Sequence, residues 1–244
     1  MSDSCLAEYP LELLPVQGKP LGLRFPVQRI MPDINSRSRE PSHSGFRLLV
    51  VESRGACELG LPGMKGEIEA IERFNDLELK KRGNLLVDRW SWTEKSGLDE
   101  LQMKIQENDA VHFVGHVGNK QGGHSFQLCS RTDKWISFEQ MFPKGNECGP
   151  HFVWLNTCHG GKEQDGAAVR TLLHAGCRNG LACTEEMHDE LAKNLVDFLY
   201  PKIAEGEQLS WAILDLRKYA EEGFGSHWAS LVSYGPGDSF FKPS

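Results

Sequence analysis

HFVWLNTCHGG, running from His151 to Gly161, is the stretch whose reading decides the fold. Five residues, His151 to Leu155, form a largely apolar run, and Asn156-Thr157-Cys158-His159-Gly160-Gly161 breaks it. A short apolar run bounded by glycines reads as a strand buried on both faces of a parallel sheet. Cys158 then falls where the strand stops and the chain turns, at the carboxyl edge where open α/β sheets bind ligands. A second run, Asp109 to Gly115, stops the same way at His116-Val117-Gly118. If the two strands are parallel neighbours, their ends bring an imidazole beside a thiol.

Working outward, the remaining patterns build a scaffold for that pair. Phe46 to Glu52 is a strong strand, and Ser53 to Gly63 a glycine-rich loop at its end. Ile68, Ile71, Phe74 and Leu77 recur near a helical period, predicting a helix over 67–82, closed by Gly83. Asn84 to Trp92 reads as the next strand and Leu98 to Gln106 as a helix. Gly118 to Gly123 reads as a turn or flap, because glycine and polar residues dominate it. His124 to Cys129 and Lys134 to Ser137 flank Arg131-Thr132-Asp133 and predict a β-hairpin. Phe138 to Phe142 reads as a short helix and Lys144 to Pro150 as a loop. After Cys158, helices are expected over 162–175, over 185–199 with a break at Pro201, and over 208–219. Strands are expected at Asn179 to Cys183 and Trp228 to Tyr234. Strands alternating with helices predict a mostly parallel sheet covered on both faces.

The first 44 residues differ from the rest. They hold six of the chain's twelve prolines, and Ser36 to Ser44 is polar and turn-rich. This reads as an arm and linker over 1–44, followed by one domain over 45–244. Leu11 to Leu14 and Leu21 to Phe25 could add a strand or dock on the body; disorder is the other reading.

Composition narrows the class of function. The chain has 244 residues, 39% hydrophobic and 25% charged, as in an ordinary globular protein. A net charge of −7 without a basic cluster argues against nucleic acid as partner. No apolar run reaches the length of a membrane span, and Met1 to Glu8 lacks the pattern of a signal peptide. Seven cysteines, an odd number without a C-x-x-C pair, point to a reducing, cytoplasmic setting.

The chemistry available is nucleophilic. A histidine can lower a thiol's pKa or take its proton, and N–H groups at two strand ends can hold an oxyanion. Gly160 and Gly161 would let a substrate backbone approach closely. Other readings stand beside this one. Cys158 can be a core thiol, and His116 a structural histidine. His159 is a rival base, although its position next to the cysteine points it away from the sulfur. His112 and His116 would lie ~13 Å apart on a strand, too far for one metal ion. His112, inside the apolar run, reads as a core or supporting residue. No metal and no cofactor is expected.

Val111 to His116, then a hairpin, then Phe152 to Gly161 resemble the CHAT domain. That family belongs to the caspase-like cysteine peptidases, with metacaspases, separases and gingipains. Gly60 to Glu69, Leu172 to Ala182, Phe198 to Ile213 and His227 to Gly235 continue the resemblance in order, over roughly residues 46–237. His116 precedes Cys158 by 42 positions, similar to the spacing of about 50 in caspases. The resemblance implies a three-layer α/β/α sandwich around a mostly parallel six-stranded sheet, and a cysteine endopeptidase. Cys158 would attack the scissile carbonyl and His116 would handle protons. The N–H groups of Cys158 and Val117 would form the oxyanion hole. Here the chain departs from the family, where a glycine usually follows the histidine. The resemblance also implies that Asn156 lines the pocket for the residue before the cut, where relatives that cut after Arg or Lys carry Asp. Asp165, Glu185, Glu186 and Asp189 could add acidity there. It further implies a protein substrate in bacterial defence or cell death, such as a gasdermin or a neighbouring gene product, and a regulatory protein partner. A catalytically inactive scaffold is the alternative.

Overall fold

The computed structural model describes residues 11–30, 46–53, 63–81, 85–93, 95–120, 123–129, 132–142, 149–156, 167–185 and 189–238. A small hairpin, β1 (Pro15–Val16) and β2 (Lys19–Pro20), precedes the body. The body runs β3 (Phe46–Glu52), α1 (Gly63–Lys81), β4 (Leu85–Ser91), α2 (Leu98–Glu107) and β5 (Ala110–Val114). Then come β6 (Val117–Lys120), β7 (Gly123–Cys129), β8 (Lys134–Ser137), α3 (Phe138–Met141) and β9 (Phe152–Asn156). It closes with α4 (Ala167–His174), β10 (Asn179–Cys183), α5 (Asp189–Ala204), α6 (Leu209–Phe224) and β11 (Leu231–Tyr234).

Six strands form the central sheet in the order β11-β10-β9-β5-β3-β4. All neighbours are parallel except β10 and β11. The expected six-stranded, mostly parallel sheet is therefore the observed one, with β5 and β9 side by side. Period-two alternation sorts the strand residues between two cores. Phe46, Leu48, Val50, Ala110, Val114, Phe152, Trp154 and Leu181 face α1, α5 and α6. Leu49, Val51, Val111, Phe113, Val153, Leu155 and Ala182 face α2, α3 and α4. Covering both faces is what makes β5 and β9 read as unbroken apolar runs. On the second face Phe113 packs edge-on against Phe126 and Phe138, at 5.2 and 5.6 Å between ring centres. Each such buried ring contributes about 1.5–3 kcal/mol.

Three expectations need correction. The flap expected after His116 begins as a strand: β6 pairs with β7, which pairs with β8, in a separate antiparallel sheet. Its glycine and polar residues mislead because cross-strand pairing, not local propensity, orders them. The last strand is shorter than expected, since Trp228 lies in a 3-10 turn, Gly225–Ser230. Pro201 does not break its helix; α5 runs through it. The proline withholds a donor only from the carbonyl of Asp197, whose side chain is partly exposed and reaches Arg73. The next turn is closed by Glu205 N–H donating to the Pro201 carbonyl at 2.9 Å, while Leu199, Tyr200 and Ile203 are buried around it.

Residues 11–30 dock on the body. The Arg29 guanidinium donates to both oxygens of the buried Glu12 carboxylate. Arg217, on α6 and fully buried, lies 4.0 Å from the same carboxylate. Arg217 also donates to the carbonyls of Val27 and Leu231 and to Ser233 Oγ. Burial brings the Arg217 guanidinium down to about 10. Arg29 N–H donates to the Ser233 carbonyl, and Gly235 N–H to the Arg29 carbonyl, so this stretch extends the β11 edge of the sheet.

Candidate active site

Chain crossings set the place. The chain goes from β3 to α1 on one face of the sheet and from β5 to α3 on the opposite face, and at the carboxyl edge of such a change of direction open α/β sheets bind ligands. Gly115 makes the exit from β5. Its φ is +156°, and a Cβ there would lie 2.6 Å from Ser53 Cβ and 3.0 Å from the Phe126 ring. Ser53 is itself tied to β5, its N–H donating to the Val114 carbonyl at 3.0 Å. Only glycine lets the backbone pass between Ser53 and Phe126 and deliver His116 at the rim.

His116 is half-buried. Burial moves its imidazole below the usual histidine value, which favours the neutral ring that can accept a proton. Its carbonyl accepts from Gln127 N–H at 2.9 Å. Val117 stands opposite Phe126 in the next pair. In an antiparallel ladder such pairs alternate, so the Val117 N–H turns away from β7, on the open side of edge strand β6. An extended strand suits a β-branched residue, so valine causes no strain after His116. Beyond it, Trp135 lies against Gly118, and Lys120 Nζ sits 5.2 Å from the Trp135 ring centre.

On β9, Asn156 is the register partner of Val114. Parallel neighbours lie about 4.8 Å apart. His116 is two residues past one member of this pair, and Cys158 two past the other. Cys158 itself lies outside the described residues, as do Asp165, His159 and Glu186. Glu185 is exposed, just past β10, and stands outside the helix expected to begin there; α5 begins at Asp189. Asn156 is buried, and its amide donates to Glu67 Oε1 on α1.

That carboxylate oxygen also meets His112 Nε2 at 2.6 Å, and His112 Nδ1 meets the Tyr200 hydroxyl at 2.5 Å. Trp154 packs on the His112 and Tyr200 rings. Burial first, and the Glu67 charge second, push the Tyr200 hydroxyl well above its ordinary value. Tyr200 therefore keeps its proton and can donate to Nδ1, while Nε2–H donates to Glu67. His112 is thus a core histidine with both ring nitrogens engaged. Sequence reasoning missed Glu67 and Tyr200. The signal for Glu67 was a carboxylate on the apolar stripe of α1, beside Met64, Ile68, Ile71 and Phe74.

The sequence matches the family model of the CHAT domain over residues 1–236. This chain belongs to the CHAT family. No curated protein matches the CHAT chain by sequence. Its fold is similar to that of solved structures. In the Saccharomyces cerevisiae separase–securin complex the similarity covers 79% of this chain and 12% of the other, at 15% identity and a TM-score of 0.50. In the Arg-specific cysteine proteinase gingipain R it covers 80% of this chain and 47% of the other, at 12% identity and a TM-score of 0.52. The CHAT chain thus shares the fold of these two structures, and spans less than half the length of either.

Proposed function

We propose that this chain is a cysteine endopeptidase with Cys158 as nucleophile and His116 as its proton-handling partner. The observation that carries the reading is the β5–β9 register, in which Val114 and Asn156 are opposed one step short of the two turns. His116 takes the Cys158 thiol proton, the thiolate attacks the scissile carbonyl carbon, and the carbonyl oxygen becomes an oxyanion held by the N–H groups of Cys158 and Val117. His116 then gives a proton to the leaving amine as the C–N bond breaks. Water attacks the thioester with His116 taking its proton, which frees the acid product and the thiol. The outward Val117 N–H and the neutral His116 ring support these roles.

The substrate in this proposal is a specific protein, a gasdermin or the product of a neighbouring gene, cleaved in the cytoplasm within a bacterial defence or cell-death system. A regulatory protein partner controls the cut. Co-expression with such candidates tests the reading. The intact chain is expected to release defined fragments, and Cys158→Ala to release none. Undiminished cleavage by Cys158→Ala removes Cys158 from the mechanism, and absence of any thiol-probe labelling at Cys158 favours the inactive scaffold.

A further inference from the structure

We infer that Glu67 is a positioning residue: its carboxylate braces β5 to β9 through His112 and Asn156 and so sets the turn that carries Cys158. This rests on Cys158 being the nucleophile. Glu67, His112, Asn156 and Tyr200 come from four different elements, and the most exposed of them shows 7% of its surface. They are surrounded by an apolar cluster of α1, α5 and the sheet. A carboxylate is a costly choice there, since apolar side chains of similar volume often give equal or greater stability. What an apolar residue does not do is accept two donors from two strands at one oxygen. Glu67 does so: Nε2–H of His112, four residues before His116, and the amide of Asn156, two residues before Cys158. Tyr200 holds the ring from the far side, donating to Nδ1.

The donors run one way. The amide of Asn156 gives, the carboxylate receives, the imidazole gives through one nitrogen and receives through the other, and the phenol gives. Each of these polar atoms has one role, so the Asn156 side chain is held in one orientation and the end of β9 with it. The brace is buried, so its effect on chemistry passes through the end of β9 that precedes Cys158.

Reversing donor and acceptor tests this. In the full chain, the rate of Cys158 alkylation by iodoacetamide is followed by peptide mass spectrometry across the neutral pH range. Cys129, Cys177 and Cys183 are buried, and their labelling reports unfolding. Asn156→Asp sets two carboxylates face to face and is expected to slow Cys158 at every pH by ~10–100-fold, the cost of misplacing a reacting group by about an ångström. The double variant Glu67→Gln with Asn156→Asp restores a donor–acceptor pair in the opposite sense and is expected to recover most of the rate. If the single variant melts earlier but alkylates Cys158 at the wild-type rate while the three buried thiols stay unlabelled, the brace is structural only and the inference is overturned. A double variant no faster than the single one overturns it too. If wild-type Cys158 reacts no faster than a cysteine in a short peptide, the nucleophile reading fails instead.

Discussion

Gly115→Ala measures how tightly the fold controls His116. The added Cβ would lie 2.6 Å from Ser53 Cβ and 3.0 Å from Phe126 Cζ, where carbon atoms prefer about 3.5–4.0 Å. One side must therefore give by about 1 Å. Neither side gives easily. Ser53 is fully buried, and its N–H is bonded to the Val114 carbonyl. Phe126 is locked edge-on against Phe113. Overpacking of this kind costs about 1–3 kcal/mol, and the φ of +156° adds backbone strain for alanine. At roughly 2–4 °C per kcal/mol for a chain of this size, melting should fall by about 2–12 °C. Whatever shift remains passes to His116, the next residue, and should slow thiol-probe labelling of Cys158 by up to ~100-fold. Gly118→Ala is the control, because its Cβ meets only the Trp135 ring edge, at 3.3 Å. Differential scanning calorimetry and timed labelling of both variants decide the matter. A Gly115→Ala protein that melts and labels like the wild type would refute the claim that β5 can exit only through glycine.

Two other perturbations test separate parts of the molecule. Glu12→Ala leaves Arg29 and the buried Arg217 without their shared carboxylate, and should cost about 3–5 kcal/mol in urea unfolding, the penalty of an unpaired buried charge. A loss within experimental error would show that the docked arm does not depend on that pairing. For His116, NMR titration of a Cys158→Ala variant should give a midpoint below the ordinary value of 6.5. The sign follows from burial. The unfolded chain binds the proton first as pH falls, so the group's contribution to stability is present above 6.5 and is lost as pH drops through the folded midpoint. A midpoint above 6.5 would mean that a negative group, not desolvation, governs this ring.

What the sequence made legible follows from how locally each feature is encoded. β5 and β9 were readable because burial on both faces writes a continuous apolar run, and the breaks at Gly115 and Asn156 mark their carboxyl ends. Alternation of strands and helices predicted a parallel sheet but not its strand order, so the adjacency of β5 and β9 was only a condition in the sequence and is a finding of the structure. β6 was hidden because Val117-Gly118-Asn119-Lys120 has turn composition and becomes a strand only by pairing with β7. Pro201 misled because it removes a single donor from the helix ladder, while the buried side chains of Leu199, Tyr200 and Ile203 hold the helix on both sides of it. The docked arm was ambiguous because Glu12 and Arg217 are 205 positions apart, a pairing no local pattern records.

The two buried polar clusters carry different weight for function. Glu12, Arg29 and Arg217 join the arm to α6 and the β11 edge, so anchoring accounts for their charges. Glu67, His112, Asn156 and Tyr200 join elements already held by an apolar core that includes Trp154, Leu195 and Leu199. Anchoring alone does not call for a carboxylate there, since apolar side chains of similar volume often give equal stability. The feature left to explain is position. His112 and Asn156 stand on the two strands whose ends lead to His116 and Cys158, and both donate a hydrogen bond to one oxygen. A brace placed anywhere else along β5 and β9 would stiffen the sheet equally well, but it would not fix the last residue before the Cys158 turn.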